Sequence, residues 1–236
     1  MSDNKISVIP DTAITEIGNK IYDDVGHPVL GEVGASVQGI LKFVSLPFKF
    51  LGMTADQLEK KYMNFIEKSL SKVPVEKRVQ PEKYIIAPLM DNVKYYFDEG
   101  TIYDMYSELL SKAVNCDTRN QVHPLHLQIL RQLSPVDADI FNDCFSSYDE
   151  GFVFLELNPR EVFLAHCDDY KRGFKEIIKY EKYDFETISA CFDVLKAINL
   201  FEDDDLAFYE CDLGMSQLRA SLSASGIAFR DVCIKK

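Results

Sequence analysis

Few residues of this 236-residue chain have the type and spacing to do chemistry. Arg119-Asn120 is followed by His126, and Arg160 by His166. An arginine close to a histidine can act on a phosphodiester, the guanidinium stabilising phosphate charge while the imidazole moves a proton. His123 and His126 are also three apart, the spacing of two metal ligands on one helix turn. However, His123 precedes Pro124, which biases it away from helical geometry, and no carboxylate or cysteine stands beside the pair at ligand spacing. No metal site is expected. Gly34 and Gly39 have the gap of a phosphate loop, but Ile40-Leu41 stands where the lysine and the metal-binding hydroxyl must be. No G-x-G-x-x-G, G-x-S-x-G or H-E-x-x-H occurs, so neither a cofactor nor a serine nucleophile is expected.

The elements that would position such groups are constrained first by charge. The chain has 38 acids against 26 bases, a net charge of −12. The excess is local: residues 1–136 and 170–236 each carry −2, whereas residues 137–169 hold nine acids and one base, Arg160, for −8. Phosphate contacts need clustered Lys and Arg, so no nucleic-acid partner is expected. The 137–169 belt is expected either to meet a basic partner or to aid solubility. Arg119 with His126 is similar to the Arg–polar…His pattern of HEPN-type ribonuclease toxins, and an RNase using these two residues is the main catalytic alternative. Arg160 lies inside the acidic belt, which opposes an RNA path there.

Six cysteines, at 116, 144, 167, 191, 211 and 233, are never closer than 20 residues, so no pair has zinc-knuckle or redox spacing. They are expected to be reduced and mostly buried thiols. The start, MSDNKISVIPD, has no apolar stretch before a cleavage site and does not resemble a signal peptide, so a cytoplasmic location is expected.

Helical periodicity dominates the rest. Thr54 to Gln57 matches a capping box ahead of an amphipathic helix with Leu58, Tyr62, Phe65, Ile66 and Leu70 on one face. Residues 71–83, with two prolines and many charges, are expected to be an exposed connector. Tyr84, Ala87, Leu89, Val93 and Phe97 are expected near one side of the next helix. Thr101 with Asp104 is expected to cap a helix carrying Ile102, Met105, Tyr106, Leu109, Leu110 and Val114. His123-Pro124 starts a short helix through Leu133. Ser134-Pro135 gives an N-cap and first helical residue, with Asp137 in the first turn where the helix dipole favours an acid. Asp184 caps a helix ending near Asn199, the acidic turn 201–205 precedes a short strand at 206–213, and a last helix from about Leu222 carries Ile227, Phe229 and Val232. The expected fold is mainly α. It has an N-terminal helical arm over residues 1–80, a helical core over 81–169, and a small winged-helix-like module over 170–236. The helix that would read DNA offers only Lys196 as a base, so that module is expected to pack or dimerise.

Residues 28–53, PVLGEVGASVQGILKFVSLPFKFLGM, form the most unusual stretch. It is apolar and rich in Gly and Phe, but its longest uncharged run spans nine residues, Val33 to Leu41. A membrane span needs about 20. A buried or groove-bound helix is expected first, with a membrane-surface contact or a self-association surface as rivals. Phe43, Pro47, Phe48 and Phe50 are the residues that would meet a partner.

Residues 81–141 resemble the Abi-alpha (abortive infection protein alpha) family of phage-defence proteins. The resemblance rests on Pro81, the Asp98-Glu99 break, Leu109-Leu110, His123-Pro124, and Leu133-Ser134-Pro135 with Asp137-Ala138. LPFKFL at 46–51 and the run Leu222-Ser223-x-x-Gly226-x-x-Phe229-x-x-x-Cys233 extend it. The family implies no catalytic residues, and its motif positions are the ones helix capping and packing require. It implies phage defence by abortive infection. Action through contact rather than chemistry is expected, with a protein partner, a phage trigger, a homo-oligomer or a membrane surface met by residues 28–53. The protein would be peripheral to the membrane when active. A non-toxic regulatory module is the third alternative.

Overall fold

The computed structural model describes residues 55–146, 152–158, 161–167, 174–202, 207–211 and 215–234. Among these the protein is mainly α. Its seven α-helices are α1 Ala55–Leu70, α2 Lys83–Val93, α3 Gly100–Ala113, α4 Pro124–Leu130, α5 Pro135–Phe145, α6 Phe185–Ala197 and α7 Ala224–Cys233. Five strands accompany them: β1 Phe152–Asn158, β2 Glu161–Cys167, β3 Phe174–Lys179, β4 Ala207–Cys211 and β5 Met215–Ser221. The chain divides into two compact units. One is Met1–Phe97 with Leu109–Leu127, and the other is Asp98–Glu108 with Gln128–Lys236.

In the first unit the apolar stripe of α1 is buried as its spacing dictates, with Leu58, Tyr62, Phe65, Ile66 and Leu70 all withdrawn from solvent. Tyr62 does more than pack. Its hydroxyl donates to the Met90 carbonyl at 2.9 Å, one of the last four carbonyls of α2 that lack an intrahelical donor. Its ring meets Phe97 edge-on at 4.9 Å. The C-terminal end of α1 is closed by Arg78, whose Nη2 donates to Leu70 O at 2.8 Å and whose Nε donates to Val73 O at 2.9 Å. A cation there also complements the helix dipole. Residues 71–83 are largely exposed as expected, yet the backbone ties them down: Val79 N–H donates to Val114 O at 2.7 Å and Cys116 N–H to Lys77 O at 2.9 Å.

The face of α2 differs from the expected one. Ile85, Ile86, Leu89, Met90 and Val93 are buried, while Tyr84 is 62% exposed and Ala87 half-buried. Two overlapping stripes were available, and the bulkier aliphatic one occupies the core. On α3 the expected Ile102, Met105, Tyr106, Leu109 and Leu110 are buried, as is Val114 just past its end. Thr101 is not its cap: the helix begins at Gly100, Tyr103 N–H donates to Glu99 O at 2.9 Å, and the Thr101 hydroxyl donates to Asp139.

The second unit is organised by phenylalanines. Phe229 of α7 contacts Phe141 at 5.5 Å, Phe141 contacts Phe145 at 5.0 Å, and both lie on α5. Phe145 reaches Phe201 at 5.8 Å, and Phe201 stacks on Phe192 of α6 at 5.2 Å. All five side chains are essentially solvent-free. α6 starts at Asp184, whose carboxylate accepts from Thr187 N–H at 2.8 Å. It ends with Asn199 at φ 61°, followed by a Leu200 N–H to Leu195 O bond at 3.0 Å and an Asn199 N–H to Lys196 O bond at 2.9 Å. This paired closure with a left-handed residue after the cap is the Schellman arrangement, which Asn tolerates.

Residues 152–179, expected to span the end of the helical core and the start of the last module, carry three strands instead. FVFLELN and EVFLAHC are short apolar and aromatic runs around Pro159-Arg160, and they pair as a hairpin from Asn158↔Glu161 to Val153↔His166. The sheet order is β3-β2-β1-β5-β4, antiparallel throughout. The strand expected at 206–213 is β4, and the order α6, β4, β5, α7 follows the expected helix, extended segment and closing helix. β5 also pairs with β1 (Leu155↔Leu218), which makes the hairpin part of the larger sheet.

Candidate functional site

The family-like positions of the middle segment form two successive helix N-caps of the same design. In the first, Pro124 opens α4, where its missing N–H costs nothing. His123 Nδ1 accepts from Leu125 N–H at 3.1 Å, and His126 Nδ1 accepts from His123 N–H at 3.3 Å. In the second, Pro135 opens α5. Ser134 Oγ accepts from Asp137 N–H at 3.2 Å, and Asp137 Oδ2 accepts from Ser134 N–H at 2.9 Å and from the Ser134 hydroxyl at 2.7 Å. Both are reciprocal boxes, one built from imidazoles and one from a hydroxyl and a carboxylate. Leu133 and Ala138 are buried beside the second box.

These contacts define what His126 and Arg119 can do. His126 is 3% exposed, and burial, with His123 nearby, pushes its pKa down to about 4, so the ring is neutral at pH 7. Accepting at Nδ1 places its proton on Nε2. Arg119 lies on a 3-10 turn, Arg119–Gln121, and pairs with Glu82 at 3.3 Å across exposed surface. Glu82, Arg119, Tyr84 and Val122 line a small open recess. Of the second pair, Arg160 lies outside the described residues and His166 sits on β2 opposite Val153.

Part of the acidic belt is internal. Asp137 belongs to the cap and is 8% exposed. Asp139 and Asp143, one turn apart on α5, share Lys182, whose Nζ lies 3.0 Å from Asp139 and 3.3 Å from Asp143. Tyr183 donates to Asp139 and Tyr180 to Asp143, each at 2.9 Å. Burial acts to raise the Asp139 pKa, but the hydrogen bonds from Thr101, Lys182 and Tyr183 outweigh it and hold the carboxyl below its usual value. Burial likewise acts against the Lys182 charge, and the two carboxylates reverse that and raise its pKa. The i, i+4 spacing of the two acids was the signal for this cluster, but their partners lie about 40 residues further on, where no local pattern could point to them.

The C-terminal motif is also explained by packing. Leu222 is buried and bridges Phe201. Ser223 caps α7, accepting from Gly226 N–H at 3.0 Å and donating to Asn199 O at 2.7 Å. Gly226 has no room for a side chain, since a Cβ there would stand 2.1 Å from the Leu200 carbonyl oxygen. Phe229 and Cys233 complete the buried face. Ile227, expected on that face, is 41% exposed. Cys144, Cys191 and Cys233 are buried free thiols, whereas Cys116 is free and exposed. Among the described residues no cluster of His, Cys, Asp and Glu could hold a metal ion, and no helix is long and apolar enough to cross a membrane. Phe43, Pro47, Phe48 and Phe50 lie outside the described residues, as does Thr54.

Both caps and the Leu222–Cys233 motif fall within a match to the family model for abortive infection alpha, which covers residues 54–233. The chain belongs to the abortive infection alpha family. The matched range contains every element described above, from α1 to α7, and leaves out the apolar segment 28–53. No curated protein and no solved structure matches the chain.

Proposed function

We propose that this abortive infection alpha protein protects cells against phage through contact with a protein or a membrane surface, without catalysis. The family supports the phage-defence setting. The observation that favours contact over chemistry is the state of His126. The ring that an RNase would use for proton transfer is buried, held neutral, and has its Nδ1 occupied as the acceptor of a helix cap. A general acid–base works best with a pKa near the working pH and a path to substrate, and burial moves His126 away from both. Arg119 meanwhile faces Glu82.

The effector element is the 28–53 segment, with Phe43, Pro47, Phe48 and Phe50 as its contact residues. The protein is cytoplasmic at rest and peripheral to the membrane when active. The test is a phage plating assay in a sensitive host, comparing the full chain with a Phe43→Ser/Phe48→Ser/Phe50→Ser variant whose circular dichroism and expression match the wild type. Loss of protection is expected. Full protection by the folded variant would refute this assignment of the effector.

A further inference from the structure

The solvent side of α1 carries charge of the opposite sign to the chain as a whole. In a protein of net charge −12, residues 55–83 hold seven bases and five acids. Four of those bases, Lys60, Lys61, Lys68 and Lys72, lie on α1 or just past its end. Lys60, Lys68 and Lys72 are exposed and Lys61 is half-buried. Positions 57, 61, 64, 68 and 72 follow one another at helical spacing and carry Gln57, Lys61, Asn64, Lys68 and Lys72, with no acid among them. Lys60 borders that line, with Glu67 exposed and Glu59 half-buried. The apolar stripe from Leu58 to Leu70 is buried, so the outer surface of α1 offers charge rather than an apolar anchor. Two neighbouring bases are engaged elsewhere: Lys77 pairs with Asp117 at 2.6 Å, and Arg78 closes the C-terminal end of α1.

We infer that this lysine surface of α1 docks on a bilayer of anionic lipid. The inference names the lipid class for the membrane contact proposed above and rests on that reading. Basic residues held at a membrane surface draw a protein to acidic headgroups by about fivefold per charge. Two observations favour a bilayer over a nucleic acid or an acidic protein. The first is that the surface is built from lysine without arginine. Fixed phosphates and carboxylates are read by the rigid guanidinium fork, whereas a point charge on a flexible stem suits headgroups that move freely in their plane.

The second observation is position in the chain. The apolar, Phe-containing residues 28–53 end two residues before Ala55 opens α1. Two peptide units span at most about 8 Å, so covalent connection keeps both contacts near one surface. The two contacts differ in kind. α1 has already buried its apolar stripe, so it rests on headgroups through charge, over the roughly 12 Å of helix from Lys60 to Lys68. Such attraction is reversible and falls with salt, because the Debye length shrinks from about 14 Å at 0.05 M to about 4 Å at 0.5 M. It also needs no trigger, since the lysines are exposed in the fold as it stands.

Co-sedimentation of the full chain with vesicles tests this, using phosphatidylcholine alone and phosphatidylcholine with about 30% phosphatidylglycerol. The readout is the ratio of the two partition coefficients, in which any apolar contribution shared by both vesicles cancels. At about 0.05 M salt the wild type is expected to favour the anionic vesicles by on the order of tenfold or more, and at about 0.5 M to lose that preference. Lys60→Glu/Lys68→Glu/Lys72→Glu is expected to abolish it. Glu67→Gln removes the acid beside the lysines and is expected to raise it several-fold, a gain that unfolding would not produce. The Phe43→Ser/Phe48→Ser/Phe50→Ser variant is expected to keep the ratio, so failure of the effector assignment in plating is read separately from failure here. A wild type that binds both vesicles alike, or neither, overturns the inference. So does a preference that the triple glutamate variant keeps, or retention of a single-stranded RNA oligonucleotide in place of anionic vesicles.

Discussion

Replacing Gly226 by Ala tests the packing of α7 at a single atom. The new Cβ would stand 2.1 Å from the Leu200 carbonyl oxygen, 3.1 Å from its carbon and 3.1 Å from Leu222 Cδ2. Two of those three neighbours are backbone, so no side-chain rotation relieves the clash. The same carbonyl oxygen accepts the Ser223 N–H bond at 2.9 Å, so moving it away strains the bond that seats the helix cap. Overpacking of this kind costs about 1–3 kcal/mol and a compromised hydrogen bond about 1 kcal/mol, against about 1 kcal/mol gained from the higher helix propensity of Ala. The net is a loss of about 1–3 kcal/mol. For a chain of this size that lowers Tm by about 2–12 °C. Gly100 is the control, because a Cβ there meets nothing within 4 Å. Gly100→Ala should leave Tm unchanged or raise it by the propensity term. Thermal unfolding followed by circular dichroism reads both variants side by side. A Gly226→Ala protein as stable as the wild type would refute the seating of α7 on Leu200.

Other perturbations probe the two caps and the acidic cluster. Ser134→Ala removes one acceptor and one donor of the α5 box and should cost about 1 kcal/mol in urea unfolding, while Ser134→Asp should recover part of it. His126 is held at about 4 when folded and returns to about 6.5 when unfolded, so the unfolded chain binds the extra proton between those values. Stability should therefore be whole above pH 6.5 and fall as pH drops toward 4, by up to about 3 kcal/mol for this group. His126→Asn, which keeps an acceptor for His123 N–H, should flatten that part of the pH profile. Lys182→Met leaves Asp139 and Asp143 facing each other without their shared cation. It should raise the Asp139 pKa, read by NMR titration of the carboxyl carbons, and cost about 1 kcal/mol or less because the cluster is partly exposed.

The helices were legible wherever one stripe dominated. On α1 and α3 one apolar stripe recurs at helical spacing with no rival face, and its residues, from Leu58 to Leu70 and from Ile102 to Leu110, are buried. Capping chemistry was legible too, since Ser134-Pro135-x-Asp137 and Asp184 each use a short side chain that can reach back to free amides. On α2 two faces competed, and Tyr84 belongs to the losing one. The strands of residues 152–179 were hidden because FVFLELN lacks clean alternation and its partners are settled by long-range pairing, as in β1 with β5. The histidine cap was half visible: His-Pro marks a helix start, but the reciprocal bond from His123 N–H to the His126 ring depends on an imidazole doing what a carboxylate usually does. Gly226 stood out as a motif position, yet its reason, a carbonyl 26 residues earlier, exists only in the folded chain.

The measurement that bears most directly on a non-catalytic role is phage plating with Arg119→Ala/His126→Asn. The arginine change removes the guanidinium from an exposed ion pair, and the asparagine removes the imidazole while keeping an acceptor in the cap. With folding confirmed by circular dichroism, protection by this double variant should equal that of the wild type. Loss of protection in the folded protein, accompanied by loss of RNA cleavage, would contradict action by contact and establish a ribonuclease in its place.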